Sequence, residues 1–129
     1  MTEFGDHAHE VLPGLWIGDQ WACEIARERG MRRLCVLESP CTGPACRHCR
    51  ILSPDGLAEI PRLDSSMREI SNIWPEERLL VHCGAGVERS PLTLAWFLKR
   101  RLGVSLDDGY AWLKKCRPVV EDRQSWIRR

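Results

Sequence analysis

The 129-residue sequence predicts a single α/β domain, a central, mostly parallel sheet flanked by helices, with one loop carried from a central strand into a buried helix. Three observations predict it. Short apolar runs of strand length, residues 34–37 and 79–81, alternate with longer segments of helical periodicity. The chain is long enough for one core and too short for a second. Between the second run and the most apolar helical segment lies Val81-His82-Cys83-Gly84-Ala85-Gly86-Val87-Glu88-Arg89-Ser90, a glycine-containing strand-to-helix loop.

In chain order, residues 10–17 are expected to form two short strands around Pro13-Gly14, a dipeptide suited to a type II turn. Asp19 caps a helix running to Arg29 and stopped by Gly30. After the strand at 34–37 comes a loop over 39–56, rich in Pro, Gly and Cys; loops of that length in compact domains are functional or tied down. Residues 59–63 read as a short strand and 65–73 as a helix ended by Trp74-Pro75. Ser90 and Pro91 suit the first positions of the next helix, which is apolar nearly all round (Leu92, Leu94, Ala95, Trp96, Phe97, Leu98) and so predicted to be buried. Ser105-x-x-Asp108 resembles a capping box opening a helix with Leu106, Tyr110 and Leu113 on one side, ended by Pro118. A last short helix is expected over 122–127. The polar first nine residues are expected to be flexible, and the six tryptophans to sit in the core or at its rim.

Hydrophobic residues make up 43% and charged residues 29%, the balance of a soluble globular domain. The net charge of +1 supplies no bulk field for nucleic acid or a membrane surface, so any preference for anions has to be local. No apolar stretch approaches the ~18 residues of a membrane span, and the start lacks the basic-then-apolar pattern of a signal peptide. The expectation is a cytoplasmic monomer. Seven cysteines, an odd number without an export signal, argue against a disulfide framework.

Cys83, five intervening residues, Arg89 and Ser90 form a phosphate cradle around a thiol. A loop opening a helix points successive N–H groups inward, and the helix dipole adds partial positive charge. The same field favours a thiolate at the loop's first position. Arg89 offers a planar fork that binds two phosphate oxygens at once. Gly84 and Gly86 free the backbone to turn its amides toward the ligand. The candidate phosphate-binding residues are therefore Gly84, Ala85, Gly86, Val87, Glu88 and Arg89.

His82, Cys83, Gly86, Arg89 and Ser90 at this spacing resemble the signature of the cysteine-dependent protein tyrosine phosphatase superfamily. Residues 11–18 (Val-Leu-Pro-Gly-Leu-Trp-Ile-Gly), 30–37, 60–64 and Arg117-Pro118 extend the resemblance to the dual-specificity branch over residues 10–127. The resemblance implies hydrolysis of phosphotyrosine, and of phosphoserine and phosphothreonine, in phosphorylated proteins or peptides. Cys83 would attack phosphorus and form a cysteinyl-phosphate intermediate, Arg89 and the loop amides stabilising the transferring group. Ser90 would donate a hydrogen bond to the sulfur, or serve simply as a helix cap; His82 would stand behind the loop, holding its carbonyls and tuning the thiolate.

Two aspartates compete as proton donor and base. Asp64 follows the predicted strand and precedes Ser65-Ser66, and is preferred; Asp55, in the turn-like Ser53-Pro54-Asp55-Gly56, is the alternative. Only 18 residues separate Asp64 from Cys83, fewer than the family commonly has, and Glu88 stands where the family often has an uncharged residue. No cofactor is required for this chemistry. An RNA 5′-triphosphatase shares the signature, but no basic stripe supports it. A phosphoinositide phosphatase would favour lysines in the loop, and there are none. A binding module without turnover would lack the nucleophile that Cys83 supplies.

Cys41, Cys46, His48 and Cys49 gather four soft ligands in the 39–56 loop. They are read as a structural zinc site, a local disulfide or unpaired thiols. Cys23, Cys35 and Cys116, in helix- or strand-like runs, are read as small buried hydrophobes.

Overall fold

The computed structural model describes residues 3–128. Ala8–Leu12 (β1) and Leu15–Gly18 (β2) pair antiparallel across Pro13-Gly14; Gly14, at φ +82°, takes the position of the turn that a β-carbon would strain. Gln20–Glu28 (α1) follows, with Asp19 accepting from the Ala22 N–H. Arg32–Cys35 (β3), Arg47–His48 (β4), Ala58–Glu59 (β5), Ile60–Ile73 (α2), Leu79–His82 (β6), Arg89–Leu102 (α3), Leu106–Cys116 (α4) and Ile127–Arg128 (β7) complete the chain. The main sheet has the order β1-β2-β6-β3-β4, parallel except for β1. It is the expected mixed but mostly parallel sheet. Among the described residues no helix is long and apolar enough to cross a membrane.

Strand alternation assigns the two faces. Leu15 and Ile17 of β2, Leu34 of β3 and Leu79 and Val81 of β6 bury against α2, α3 and α4, in one large core that also takes in Leu63, Ile70, Leu92, Leu94, Tyr110 and Leu113. Trp16 and Leu80 point the other way, onto Ala22 and Ala26 of α1. The central strand β6 is buried at every position, and α3 buries every residue from Ser90 to Leu98, as its all-round apolar pattern predicts.

Four local expectations are corrected. Residues 60–63 are helical, not extended: α2 starts at Ile60 with Pro61 in its first turn, and Leu63, Ser66, Ile70 and Ile73 form one buried stripe. The 39–56 segment, read as loop throughout, contains the short strand β4, and it is tied down as its length led one to expect, because the Cys49 N–H bonds to the Cys35 carbonyl and Ile51 and Leu52 enter the core. The segment expected as a last helix is a single 3-10 turn, 124–126, leading into β7, which pairs parallel with β5. The beginning of the chain, expected to be flexible, is packed from residue 3 onward: Phe4 is buried against Trp16, with ring centroids 4.8 Å apart, and a 3-10 turn at 5–7 leads into β1. Met1 and Thr2 lie outside the described residues. Trp21 and Trp112, expected in core or rim, are largely exposed.

Candidate active site

Val81 and His82 end β6, and Cys83 opens the loop that enters α3 at Arg89. The Cys83 thiol is 2% exposed. Its sulfur accepts the Ser90 N–H at 3.4 Å and lies 3.3 Å from the Ser90 hydroxyl, which is itself fully buried. Both expected partners of the motif are therefore in contact at the N-terminus of a 14-residue helix.

The loop's carbonyls are held from outside. Gly84 O accepts the Gln20 N–H of α1 at 3.0 Å, and Val87 O accepts the Glu121 N–H at 2.8 Å. Between them, Ala85 O and Gly86 O accept Arg117 Nη2 and Nε at 3.0 and 2.9 Å. The carbonyls of Gly84, Ala85, Gly86 and Val87 are thus all taken up by other elements. Gly86 sits at φ +69°, and a β-carbon there would lie 2.7 Å from the Gly18 backbone, so the loop closes on β2 only with glycine.

Arg117 is 3% exposed and also donates to the Asp6 carbonyl at 2.9 Å, with His9 Nδ1 at 2.9 Å from the same guanidinium nitrogen. Burial, with the Arg117 charge beside it, holds the His9 imidazolium below its ordinary pKa, so the ring serves as neutral acceptor. Sequence reading marked Arg117 only by resemblance; its structural work is invisible until the end of α4 is placed under the loop.

Arg89 donates from Nε to Glu38 Oε1 at 2.8 Å, a bond that does not use its two Nη groups. Burial is the largest single influence on Glu38 and works against ionisation, but the Arg89 hydrogen bond, a backbone hydrogen bond and the charges of Arg89 and Arg50 together outweigh it, so the carboxyl lies below the usual carboxylate range. Glu38 was not predicted; a lone glutamate just past a strand carries no sequence signal. Glu88, one of the candidate phosphate-binding residues, has its carboxylate turned to Arg123, whose Nε donates to it at 2.9 Å.

The structure does not bring Asp64 to the cradle. Asp64 lies within the first turns of α2, and its Oδ1 accepts from Trp96 Nε1 at 2.8 Å and stands 3.6 Å from Arg100 Nε. Those partners sit roughly 10 and 16 Å along α3 from Arg89, at 1.5 Å per residue. The preference for Asp64 rested on a strand-then-loop reading of 59–66, which the helix overturns. Asp55 occupies an exposed turn, accepts from the Leu57 N–H at 3.1 Å and pairs with Arg128. Those two contacts, the backbone one first, hold its carboxyl below the ordinary value.

Nor do the loop cysteines assemble as expected. His48 Nε2 bonds to the Leu37 carbonyl at 2.7 Å and Cys49 packs on the apolar core. Cys41 and Cys46 instead meet Cys23 of α1, each 3.8 Å from its sulfur, and Cys46 Sγ is 3.4 Å from His82 Nε2. Cys23 is thus not simply a buried hydrophobe, and the His82 ring faces this cluster. The hydrogen bond between Cys23 and Cys46 holds the Cys23 thiol below its ordinary pKa and pushes the Cys46 thiol up. A cavity of about 670 Å³, lined by Trp21, Glu38, Ser39, Pro40 and Cys41 among others, opens beside the Arg89–Glu38 pair.

A buried thiol, an arginine and an outward-anchored strand-to-helix loop stand together on a mostly parallel sheet. Comparison with known proteins finds related sequences and the same fold among dual specificity phosphatases. The chain is 28% identical over 127 residues to human dual specificity protein phosphatase 16, covering 91% of this chain and 19% of that protein. It is 30% identical over 74 residues to mouse dual specificity protein phosphatase 18, covering 48% and 39%. The chain therefore spans well under half the length of these relatives. Among solved structures, DUSP15 superposes with a TM-score of 0.75 at 20% identity, covering 95% of this chain and 83% of that one. Human DUSP28 superposes at 0.73 and 22% identity, covering 92% and 86%. No family model matches the chain.

Proposed function

We propose that this domain hydrolyses phosphate monoesters on protein side chains, phosphotyrosine and also phosphoserine and phosphothreonine, through a cysteinyl-phosphate intermediate. The observation that carries the reading is the Cys83–Ser90 contact inside a loop whose Gly84, Ala85, Gly86 and Val87 carbonyls are engaged from other elements. The Cys83 sulfur forms a bond to phosphorus as the ester P–O bond breaks, and the departing oxygen takes a proton from a carboxyl group. Water then attacks phosphorus and gives a proton to that carboxylate, the S–P bond breaks, and the Ser90 hydroxyl stabilises the returning thiolate while inorganic phosphate leaves. Loop amides and the Arg89 fork hold the equatorial oxygens in both steps, a preorganised term of several kcal/mol. None of these steps uses a metal ion.

For the proton transfers the reading assigns Asp55. Asp64 is held by Trp96 and Arg100, whereas Asp55 rides on an exposed turn and would exchange Arg128 for the leaving oxygen as that turn closes over substrate. Breadth of substrate is supported by economy of wall: beside the cradle, residues 39–43 are the main loop stretch lining the adjoining cavity. A shallow mouth admits the short phosphoserine and phosphothreonine side chains as well. Phosphotyrosine should still react faster, because phenoxide leaves more readily than an aliphatic alkoxide.

Hydrolysis of p-nitrophenyl phosphate tests the reading. The wild type should turn over at rates within the common enzyme range, on the order of 1 s⁻¹ or more. Cys83→Ser should bind vanadate yet show no measurable turnover. A wild type that binds phosphopeptides without hydrolysing anything would make the domain a binding module, and an active Cys83→Ser would remove the covalent mechanism.

A further inference from the structure

We propose that Cys23, Cys41, Cys46 and His82 together hold a structural zinc ion. Their four ligand atoms all lie within 4.8 Å of one another, and they come from three separate parts of the chain: α1, the loop after β3, and the last residue of β6. The spacing suits the ion. Tetrahedral zinc with Zn–S near 2.3 Å and Zn–N near 2.05 Å sets its ligands about 3.8 Å apart for two sulfurs and about 3.6 Å for sulfur and nitrogen. Cys23 Sγ is 3.8 Å from both Cys41 and Cys46 Sγ, and Cys46 Sγ is 3.4 Å from His82 Nε2. A disulfide would have drawn a pair of these sulfurs to about 2.05 Å.

Charge gives a second, independent argument. Arg33 is 6% exposed, and among the described residues it has no carboxylate within ion-pairing distance. Its Nη2 donates to the Pro44 carbonyl at 2.6 Å, and its Nη1 lies 3.9 Å from Cys23 Sγ. A buried cation requires a counter-charge. Zinc with three thiolates and one neutral imidazole carries one net negative charge, which Arg33 balances. His82 gives a third argument. The ring is fully buried, its hydrogen-bond contacts are the cluster's own thiols, Cys46 and Cys23, and among the described residues Nδ1 has no partner. Binding through Nε2 gives that nitrogen a ligand's work and leaves the proton on Nδ1.

Four protein ligands close the coordination shell, so the ion would bind no substrate. Loading releases three thiol protons as three Zn–S bonds form, and the binding free energy becomes folding free energy. The consequence for the neighbouring site is positional. The ion staples residues 41–46 to α1 and to His82, the residue before Cys83, and so steadies the segment that carries Glu38 against Arg89. The site differs from the one expected from sequence, which took His48 and Cys49 in place of Cys23 and His82.

Metal analysis of the untagged chain, expressed in zinc-supplemented medium and purified under reductant without chelator, decides the matter independently of any phosphatase assay. The wild type should hold about one zinc per chain. Exchange into cobalt(II) should give the intense visible bands of tetrahedral coordination together with thiolate-to-cobalt charge transfer. Cys23→Ser, Cys41→Ser and Cys46→Ser should each lose the metal, while His48→Ala and Cys49→Ser retain it. Should the cysteine variants fail to fold, the cobalt spectrum of the wild type still decides. A wild type that takes up neither ion, a weak octahedral cobalt spectrum, metal lost from His48→Ala but kept in Cys23→Ser, or a disulfide between Cys23 and Cys41 or Cys46 in unreduced protein would each overturn the proposal.

Discussion

At Asp64, Trp96 Nε1 and Arg100 engage the carboxylate from the C-terminal half of α3, and Arg100 also lies 5.7 Å from the Trp96 ring centroid. The residue ties α2 to α3. Asp64→Asn should keep turnover within about threefold while lowering stability by about 1 kcal/mol, the usual net worth of one such hydrogen bond. Asp55→Asn should leave stability almost untouched, because its ion pair with Arg128 is exposed. It should cut kcat about 10²–10⁴-fold on phosphothreonine peptides, whose alkoxide needs the proton, and less on p-nitrophenyl phosphate. Steady-state kinetics and thermal melts on the two variants separate these roles. Loss of turnover in Asp64→Asn with normal Asp55→Asn would return the role to Asp64.

Between elements, the Glu38–Arg89 pair joins the loop after β3 to the first turn of α3. Folding depresses the Glu38 carboxyl: burial, the largest single influence, opposes ionisation, and the Arg89 hydrogen bond, a backbone hydrogen bond and the charges of Arg89 and Arg50 together outweigh it. A carboxyl depressed on folding contributes stability that is fully present above its unfolded value, about 4.3, and is lost as pH falls through the lower folded value. The melting temperature of the wild type should therefore exceed that of Glu38→Gln at pH 7, and the gap should close toward about pH 3. Glu38 is partly exposed, so solvent screening keeps the gap to a few degrees. At pH 7 the same variant should raise KM for p-nitrophenyl phosphate several-fold with little change in kcat, because an unaimed guanidinium weakens ground-state and transition-state binding alike. A gap that widened on acidification would contradict the assignment.

Across the whole molecule, the chain's end returns to its middle. Glu121 and Arg123 hold the back of the phosphate loop, and β7 then pairs with β5, placing Ile127 in the same core as Ala58 and Leu63. Ile127 is 5% exposed, so Ile127→Ala should cost about 2–4 kcal/mol, read as a lower urea midpoint with an unchanged m-value. Near-wild-type stability would mean that the closing strand is not part of the cooperative unit.

How much was legible in the sequence follows from the range of the interactions involved. The Cys83–Ser90 loop, the Asp19 and Ser105 caps, the Pro13-Gly14 turn and the buried α3 depend on residues within a few positions of one another, and local pattern determined them. The span of α2 failed because its stripe begins under Pro61, where a short strand was read instead. Glu38, Arg117 and Arg123 became part of the site only through contacts spanning 51, 31 and 35 positions, each joining elements that hydrophobic periodicity cannot order in space. The cysteine cluster makes the same point at one face of the sheet. Cys41 and Cys46 are neighbours in sequence, but alternation along β6 turns His82 toward α1, and α1 packed on that face supplies Cys23. By itself the sequence singled out Cys83 as the candidate nucleophile and the loop after it as the candidate phosphate cradle; only tertiary packing decided which carboxylates, cations and thiols surround it, because side chains remote in sequence meet only after the sheet has ordered its strands and the helices have taken their faces.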